Sequence, residues 1–254
     1  MKPPSLRIVT YNIHKGFSQF NRHMMVHELR EQLHELDADI VFLQEVQGEH
    51  KRHARRFDDW PDEPQYDFLA GDIWQATVYA KNVVYGHGHH GNAILSRFPI
   101  GNAFNQDITH LRFERRGLLH CKIDIPELRQ PLHCVCVHLS LFAYSRRRQV
   151  DALASYFETN ANQDSPLIIA GDFNDWRNEA DEGLAQRLGL SEVFSRSAGK
   201  SGAPGRSFPA RHPVLRLDRI YVRGFTIKQA KVHSGKPWSQ LSDHAALSAQ
   251  LLPQ

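Results

Sequence analysis

A chain of 254 residues with 41% hydrophobic and 23% charged side chains has a globular composition and enough length to bury a large core in one α/β domain. It has no run of roughly 18 apolar residues, which excludes a helical membrane span, and its N-terminal MKPPSLRIVTYN enters a strand-like segment without the apolar core of a signal peptide. The net charge of +3 permits an anionic substrate but is not the heavy, clustered charge usual in nucleic-acid modules.

In chain order, runs rich in β-branched and apolar residues predict strands at LRIVTYNIH, ADIVFLQEV, NAILSRFPI, GLLHCKIDI, LHCVCVHLS, PLIIAGDFN, LDRIYV and HAALSAQL. Helical spacing appears in MMVHELREQLHEL, where Met25, Leu29, Leu33 and Leu36 share a face. It appears again in RRRQVDALASYFE, with Val150, Leu153 and Phe157 inward and Ser145 as the expected N-cap. Strands and helices mix without strict alternation, which predicts an α/β sandwich of mixed sheets rather than a parallel barrel. No internal repeat or low-complexity tract interrupts the chain. The segment 199–213, GKSGAPGRSFPARHP, is long and dense in Gly, Pro and basic groups, and reads as a substrate-side loop.

Cys121, Cys134 and Cys136 are odd in number, and the latter two share one strand face, so they read as small packing residues. Reduced thiols fit a cytoplasmic protein. HGHHGN (87–92) lacks a zinc-like ligand set and is expected to be a loop beside the active site. HKRHARR (50–56) reads as a solvated face.

The polar residues follow a pattern: they interrupt or end apolar strands. Asn12 ends RIVTYN, Glu45 ends DIVFLQE, Asn92 opens GNAILS, and His138 ends CVCVH. Asp172 and Asn174 end PLIIAGDFN, Asp218 opens DRIYV, and Asp243 with His244 open the last strand from LSDH. Each alone has a turn or cap explanation. Together, several oxygen donors and two histidines at strand ends point to one rim of the sheets, where α/β active sites are commonly built.

The blocks TYNIH, LQE, GNAILSRFPI, VHLS, GDFN, LDRIYV and SDHAAL, in this order, resemble the endonuclease/exonuclease/phosphatase superfamily, whose members include DNase I, AP endonucleases, neutral sphingomyelinases and inositol polyphosphate 5-phosphatases. The resemblance spans about residues 6–251. It implies one catalytic domain over 1–254 and a four-layer sandwich, two packed mixed β-sheets flanked by helices. It also implies site roles. Glu45 resembles the principal metal ligand, with Asn12 beside it and Asp243 near metal and phosphate. Asp172 and Asn174 resemble the pair that orients the attacking water, and Asp218 the carboxylate partner of His244. His138 matches a position that is histidine in the DNase I-like and sphingomyelinase-like branches and tyrosine in AP endonucleases. Arg116, in ERRGLL, resembles a phosphate-contacting arginine, with Arg115 the alternative.

The chemistry agrees with those roles. Carboxylate and amide oxygens are hard donors suited to Mg²⁺ or Mn²⁺. A histidine braced by a carboxylate has its tautomer fixed and its pKa raised, suiting proton transfer or phosphate binding. On the substrate side, Asn92, Arg147 and Arg148 are expected contacts. Arg146, Arg147 and Arg148 oppose the dipole at a predicted helix start, which favours an anionic ligand, though a solvated first turn explains them equally. Trp176 and Phe208 suit stacking or packing alike, and Arg206 and Arg211 are further candidate contacts. The expectation is a metal-dependent phosphodiesterase on nucleic acid, with a phospholipid phosphodiesterase second. A small-molecule phosphatase and a catalytically inactive binding module follow, the last disfavoured because every expected polar position is filled. The sequence calls for no obligate protein partner.

Overall fold

The chain is described by a computed structural model over residues 5–197 and 205–254. The first part of the loop expected at 199–213 therefore lies outside the described residues. Two six-stranded sheets stack face to face. The first contains β1 (Leu6–Asn12), β2 (Ile40–His50), β3 (Ala76–Tyr85), β4 (Gly88–Ser96), β11 (Phe225–His233) and β12 (Ala246–Pro253), in the order β11-β12-β1-β2-β4-β3. The second contains β5 (Ile100–Asp107), β6 (Gly117–Ile123), β7 (Leu132–His138), β8 (Leu167–Asp172), β9 (Ser191–Glu192) and β10 (Asp218–Arg223), in the order β5-β6-β7-β8-β10-β9.

Each sheet is mostly antiparallel but contains one parallel pair, β1 with β2 and β7 with β8. Parallel neighbours need a crossover, and α1 (Val26–Glu35) and α4 (Ala143–Asn160) provide it. β1, β7 and β8 end, in the C-terminal sense, on one rim, and β2 passes it and continues to His50.

Strand alternation sorts the core into three layers. Leu6, Ile8, Ile40, Phe42, Cys134, Cys136, Ile168, Ala170, Ile220 and Val222 fill the seam between the sheets. Val9, Tyr11, Val41 and Leu43 face outward under α1 and α3 (Gln65–Ala70). Val135, Val137, Leu167 and Ile169 face outward under α4 and α5 (Glu179–Leu188). Burying each large side chain contributes about 1.5–3 kcal/mol before entropy is counted. All three cysteines are free thiols; Cys134 and Cys136 lie in the seam as packing groups, as their i, i+2 spacing implies.

The structure departs from the sequence reading in several places. Ser145 is not the N-cap of α4. Phe142 holds that position, and the Ser145 hydroxyl sits 2.8 Å from His110 Nδ1. HGHHGN is not a loop: Gly88 to Asn92 belong to β4, hydrogen-bonded on both sides. HKRHARR is only half a solvated face. Lys51, Arg52, Arg55 and Arg56 are exposed on α2 (Lys51–Arg56), but His50 and His53 turn into an aromatic cluster.

Candidate active site

The strand parity that fills the seam also builds the site. Asn12 continues the face of Ile8, His138 that of Cys134 and Cys136, and Asp172 that of Ile168 and Ala170. Asp218 likewise precedes Ile220 and Val222. The apolar seam thus runs out into polar side chains at its rim. Register aligns three of them: His138 pairs with Asp172 across the parallel β7–β8 ladder, and Asp218 pairs with Asp172 across β10–β8. A tight approach permits this. A Cβ at Gly171 would lie 2.0 Å from the Val137 carbonyl, so only glycine lets β8 close onto β7 one residue before Asp172.

Glu45 reaches the same rim by a different device. By alternation it would share the outward face of Val41 and Leu43. The β2–β4 register instead shifts between Leu43 and Val46, and Glu45 adopts φ +58°. This bulge re-aims the side chain, at a backbone cost of about 1–3 kcal/mol. Asn174 is also left-handed, φ +50°, a conformation Asn tolerates better than most residues.

Around Asp172 the contacts are dense. Its Oδ2 accepts from Asn12 Nδ2 at 3.1 Å, and its Oδ1 accepts from the Asn174 amide at 2.9 Å. His138 Nε2 and His244 Nε2 stand 3.6 and 3.8 Å from Oδ2. His244 Nδ1 is 2.8 Å from Asp218 Oδ2, a buried imidazole–carboxylate pair. Asn174 Nδ2 donates to the Leu139 carbonyl at 3.0 Å. Ser242 Oγ donates to the Asn12 carbonyl at 2.7 Å and accepts from the His244 amide at 3.2 Å, which ties the loop before β12 to the end of β1 beneath the site.

The two histidines differ electrostatically. Burial and the Arg116 charge push His138 well below the usual imidazole value. Burial also works against charge on His244, but Asp218 and Asp172 outweigh it and raise His244 to about 10. His244 is therefore an imidazolium near neutrality and His138 a neutral ring. Burial lifts the Asp172 carboxyl to about 6, against the pull of His244. Burial would raise Glu45 as well, yet the Lys15 ammonium prevails and holds it far below the usual carboxylate range.

Lys15 Nζ lies 2.9 Å from Glu45 Oε2. Asp243 Oδ1 stands 3.9 Å from His14 Nδ1, and the Asn12 Oδ1 accepts from the His14 amide at 3.1 Å. Glu45, Asn12 and Asp243 present hard oxygen donors, one of them a half-buried carboxylate kept ionised, and this donor class fits Mg²⁺ or Mn²⁺. Among the described residues, the group of His, Cys, Asp or Glu side chains whose ligand atoms all lie within 4.8 Å of one another is a different one: Asp172, Asp218 and His244. The 2.8 Å contact between His244 and Asp218 uses their facing atoms in a hydrogen bond.

Arg116 is pinned by the Leu139 carbonyl at 3.1 Å and Glu114 Oε1 at 3.0 Å, and Glu114 also binds the Ser140 hydroxyl. Arg115 points to Asp107 at 3.8 Å and is exposed, so of the two arginines it is Arg116 whose charge falls on His138. Asn92 lies within β4 and donates to the Gly117 and Cys136 carbonyls at 3.1 and 3.3 Å, bridging the sheets. Arg147 and Arg148 are exposed on the first turns of α4, with the Arg148 guanidinium 5.0 Å from the Tyr144 ring. Trp176 is part-exposed beneath Arg146, 5.4 Å away, and Phe208 packs 5.1 Å from the His244 ring.

One participant, Lys15, went unread in the sequence, and Arg146, expected with Arg147 and Arg148 to meet an anionic ligand or form a solvated first turn, does neither. Lys15 sits three residues after Asn12, and a cation so close to a predicted metal ligand was the available signal. Arg146 is buried, 3.5 Å from the buried Asp175, and donates to the Ser140 and Leu141 carbonyls. Within SRRRQ nothing distinguishes it from its neighbours.

A profile of the Endonuclease/Exonuclease/phosphatase family matches residues 9–244. The Escherichia coli (strain K12) protein YbhP is 43% identical over 247 residues, covering 97% of this chain and 96% of its own length. Among solved structures, an endonuclease/exonuclease/phosphatase family protein from Leptotrichia buccalis superposes with TM-score 0.76 at 18% identity, covering 97% of this chain and 99% of that one. The human Nocturnin catalytic domain, solved with a bound sulfate, superposes with TM-score 0.73 at 19% identity, covering 99% and 94%. Both share the fold described above. No helix among the described residues is long and apolar enough to cross a membrane.

Proposed function

The chain belongs to the endonuclease/exonuclease/phosphatase family, a family of generally metal-dependent phosphoesterases, and we propose that it is a Mg²⁺- or Mn²⁺-dependent phosphodiesterase acting on nucleic acid, with 1–254 working as one catalytic domain. One observation carries the reading: a buried Asp172 carboxylate faced by two imidazoles at 3.6 and 3.8 Å, one of them braced by Asp218. A phosphodiester needs a base for water, an acid for the departing oxygen and positive charge on the phosphoryl oxygens.

Asp172, positioned by Asn12 and Asn174, accepts the proton of the attacking water. The new P–O bond forms in line with the breaking one, and the His244 imidazolium gives its Nε2 proton to the leaving oxygen. Asp172 and His244 are then protonated and neutral, and their 3.8 Å separation lets the proton return. The neutral His138 hydrogen-bonds a phosphoryl oxygen, and Arg116 adds fixed positive charge beside it. Glu45, Asn12 and Asp243 would hold the divalent ion, which when bound offsets charge on the phosphate. Asn92, Arg147 and Arg148 belong to the substrate side. Three buried, reduced thiols fit a cytoplasmic location. The sulfate bound by the Nocturnin domain, a tetrahedral oxyanion, is in keeping with phosphate chemistry on this fold.

A phospholipid phosphodiester is the second reading, favoured by the exposed Phe113, Leu141 and Phe142, which flank the Glu114–Ser140 contact. Cleavage of single-stranded oligonucleotide and supercoiled plasmid in Mg²⁺, by wild type and His244→Ala, tests the first. The expected result is cleavage reduced about 10²–10⁴-fold in the variant. Equal cleavage by both proteins would remove His244 from the chemistry. Cleavage by neither, alongside hydrolysis of phospholipid vesicles, would transfer the assignment to lipid.

A further inference from the structure

Two histidine-rich stretches have no part in that chemistry, HKRHARR and HGHHGN, and the fold brings them together. They wall a cavity of about 350 Å³, within the size range of small-ligand pockets. Phe17, Phe57 and Tyr85 form its apolar faces, His50, His53 and His87 its imidazole faces. Lys15 is on the wall as well, and its ammonium is the group that meets Glu45. The cavity therefore adjoins the proposed metal ligand.

The walls are pre-arranged. His50 and His53 stack with ring centres 3.4 Å apart, and His50 Nδ1 accepts from the His53 amide at 3.0 Å at the start of α2. Trp60 supports Phe17 and Phe57 in near-parallel stacks, 26° and 29°. Gln65 accepts from the Gln47 amide and donates to the Lys15 carbonyl, both at 2.9 Å, so the loop carrying Lys15 is fastened to β2. At Gly16, φ +80°, a Cβ would meet Gln65 Nε2 at 2.6 Å, so glycine lets that fastening form.

We propose that this cavity seats a nucleobase flanking the scissile phosphate, an inference that rests on the nucleic-acid reading above. Flat aromatic and imidazole faces suit stacking, which is indifferent to base identity. Charge selects among planar ligands: the lining includes two cations, Lys15 and Arg56, and no carboxylate. Such a lining favours an anionic nucleotide and repels a quaternary ammonium, which an aromatic cage would otherwise take. Burial and the neighbouring His50 hold His53 down to about 4, so the stacked ring is neutral at working pH. Among the described residues, three ligand atoms converge within 4.8 Å of one another at Asp172, Asp218 and His244, and not at these histidines.

The test uses a single-stranded oligonucleotide and copies in which one abasic residue is moved through the positions flanking the cleaved bond. Wild type is compared with Phe57→Leu and Tyr85→Leu, which keep apolar bulk and remove the aromatic face. At one flanking position the abasic residue should raise KM roughly 5- to 150-fold, the range expected for one base stack. Phe57→Leu should raise KM for the intact oligonucleotide similarly, erase the difference from the abasic copy, and leave kcat unchanged. Equal KM for intact and abasic substrates overturns the inference while leaving the nuclease reading intact. So does a variant that weakens both substrates alike, which would mark a packing role.

A second measurement needs no turnover: quenching of Trp60 fluorescence by adenosine 5′-monophosphate, ribose 5-phosphate and phosphocholine, with Trp60→Phe as reference. Adenosine 5′-monophosphate should bind tightest. Tightest binding of phosphocholine would overturn the inference in favour of a lipid headgroup. Nucleotide binding without any oligonucleotide cleavage would instead retain the base seat and overturn the polynucleotide substrate.

Discussion

The end of β8 and a bulge within β2 supply the two principal carboxylates of the site, and they do so by opposite means. Asp172 falls where strand alternation and sheet register put it, hydrogen-bonded by Asn12 and the Asn174 amide and aligned with His138 and Asp218. Glu45 escapes alternation through a bulge at φ +58°, and its close counter-charge is Lys15 on a neighbouring loop. The first carboxylate is raised towards neutrality by burial, as a base should be, and the second is held ionised, as a cation ligand should be. Under the proposed roles, geometry built into a sheet would serve proton transfer, which tolerates little misplacement, and a carboxylate on a strained bulge, balanced by Lys15, would serve a soluble ion.

That division predicts unequal failures. Asp172→Asn keeps the size and loses the base, so kcat should fall about 10²–10⁴-fold at every metal concentration. Glu45→Gln should differ in kind: the Mg²⁺ needed for half-maximal rate should rise at least about tenfold, with much of the rate recovered at high Mg²⁺. Metal titrations of both variants separate the two. If excess Mg²⁺ rescued Asp172→Asn and not Glu45→Gln, the assignment of base and ligand would be reversed.

The pH profile sharpens the proton-transfer half. Asp172 must be ionised to act as base, so the rate should rise with pH through about 6. His244 must be protonated to act as acid, so the rate should fall as pH passes about 10. Stability follows the same sign for His244. Its folded pKa of about 10 exceeds the free value near 6.5, so the contribution is complete below that value and is lost as pH rises through the folded one. Asp218→Asn removes the main partner and should draw the alkaline limb towards neutrality, in rate and in thermal midpoint together. A limb that stayed in place would mean Asp218 does not set the His244 charge.

Legibility in the sequence divided along a physical line. The eight strands predicted from composition are β1, β2, β4, β6, β7, β8, β10 and β12, which are the interior strands of both sheets. Buried on two faces or flanked on two edges, they carry the apolar runs. The unread ones, β3, β5, β9 and β11, are the edges, where one side meets water and segments such as IGNAFNQD carry no apolar run. Site residues at the ends of interior strands were visible for the same reason, as abrupt polar stops in apolar runs. Lys15, Arg146 and the stacked His50 and His53 were not. Their roles depend on Glu45, Asp175 and His87, which only the folded chain brings near.

The smallest effects should come from the exposed face of α4, a helix on which Arg146, Arg147 and Arg148 look alike in sequence and differ in place. Arg146 is buried against Asp175, and removing one partner of a buried pair costs about 3–5 kcal/mol, so Arg146→Ala should lower the thermal midpoint clearly. Arg147→Ala and Arg148→Ala change exposed positions and should shift stability by no more than about 0.5 kcal/mol. Their expected signature is in binding: if each meets one phosphate, each substitution should reduce the slope of log affinity against log salt by about 1. An unchanged slope would leave these two arginines as a solvated first turn, and would confine recognition of the polyanion to Arg116, Lys15 and the bound ion at the centre of the site.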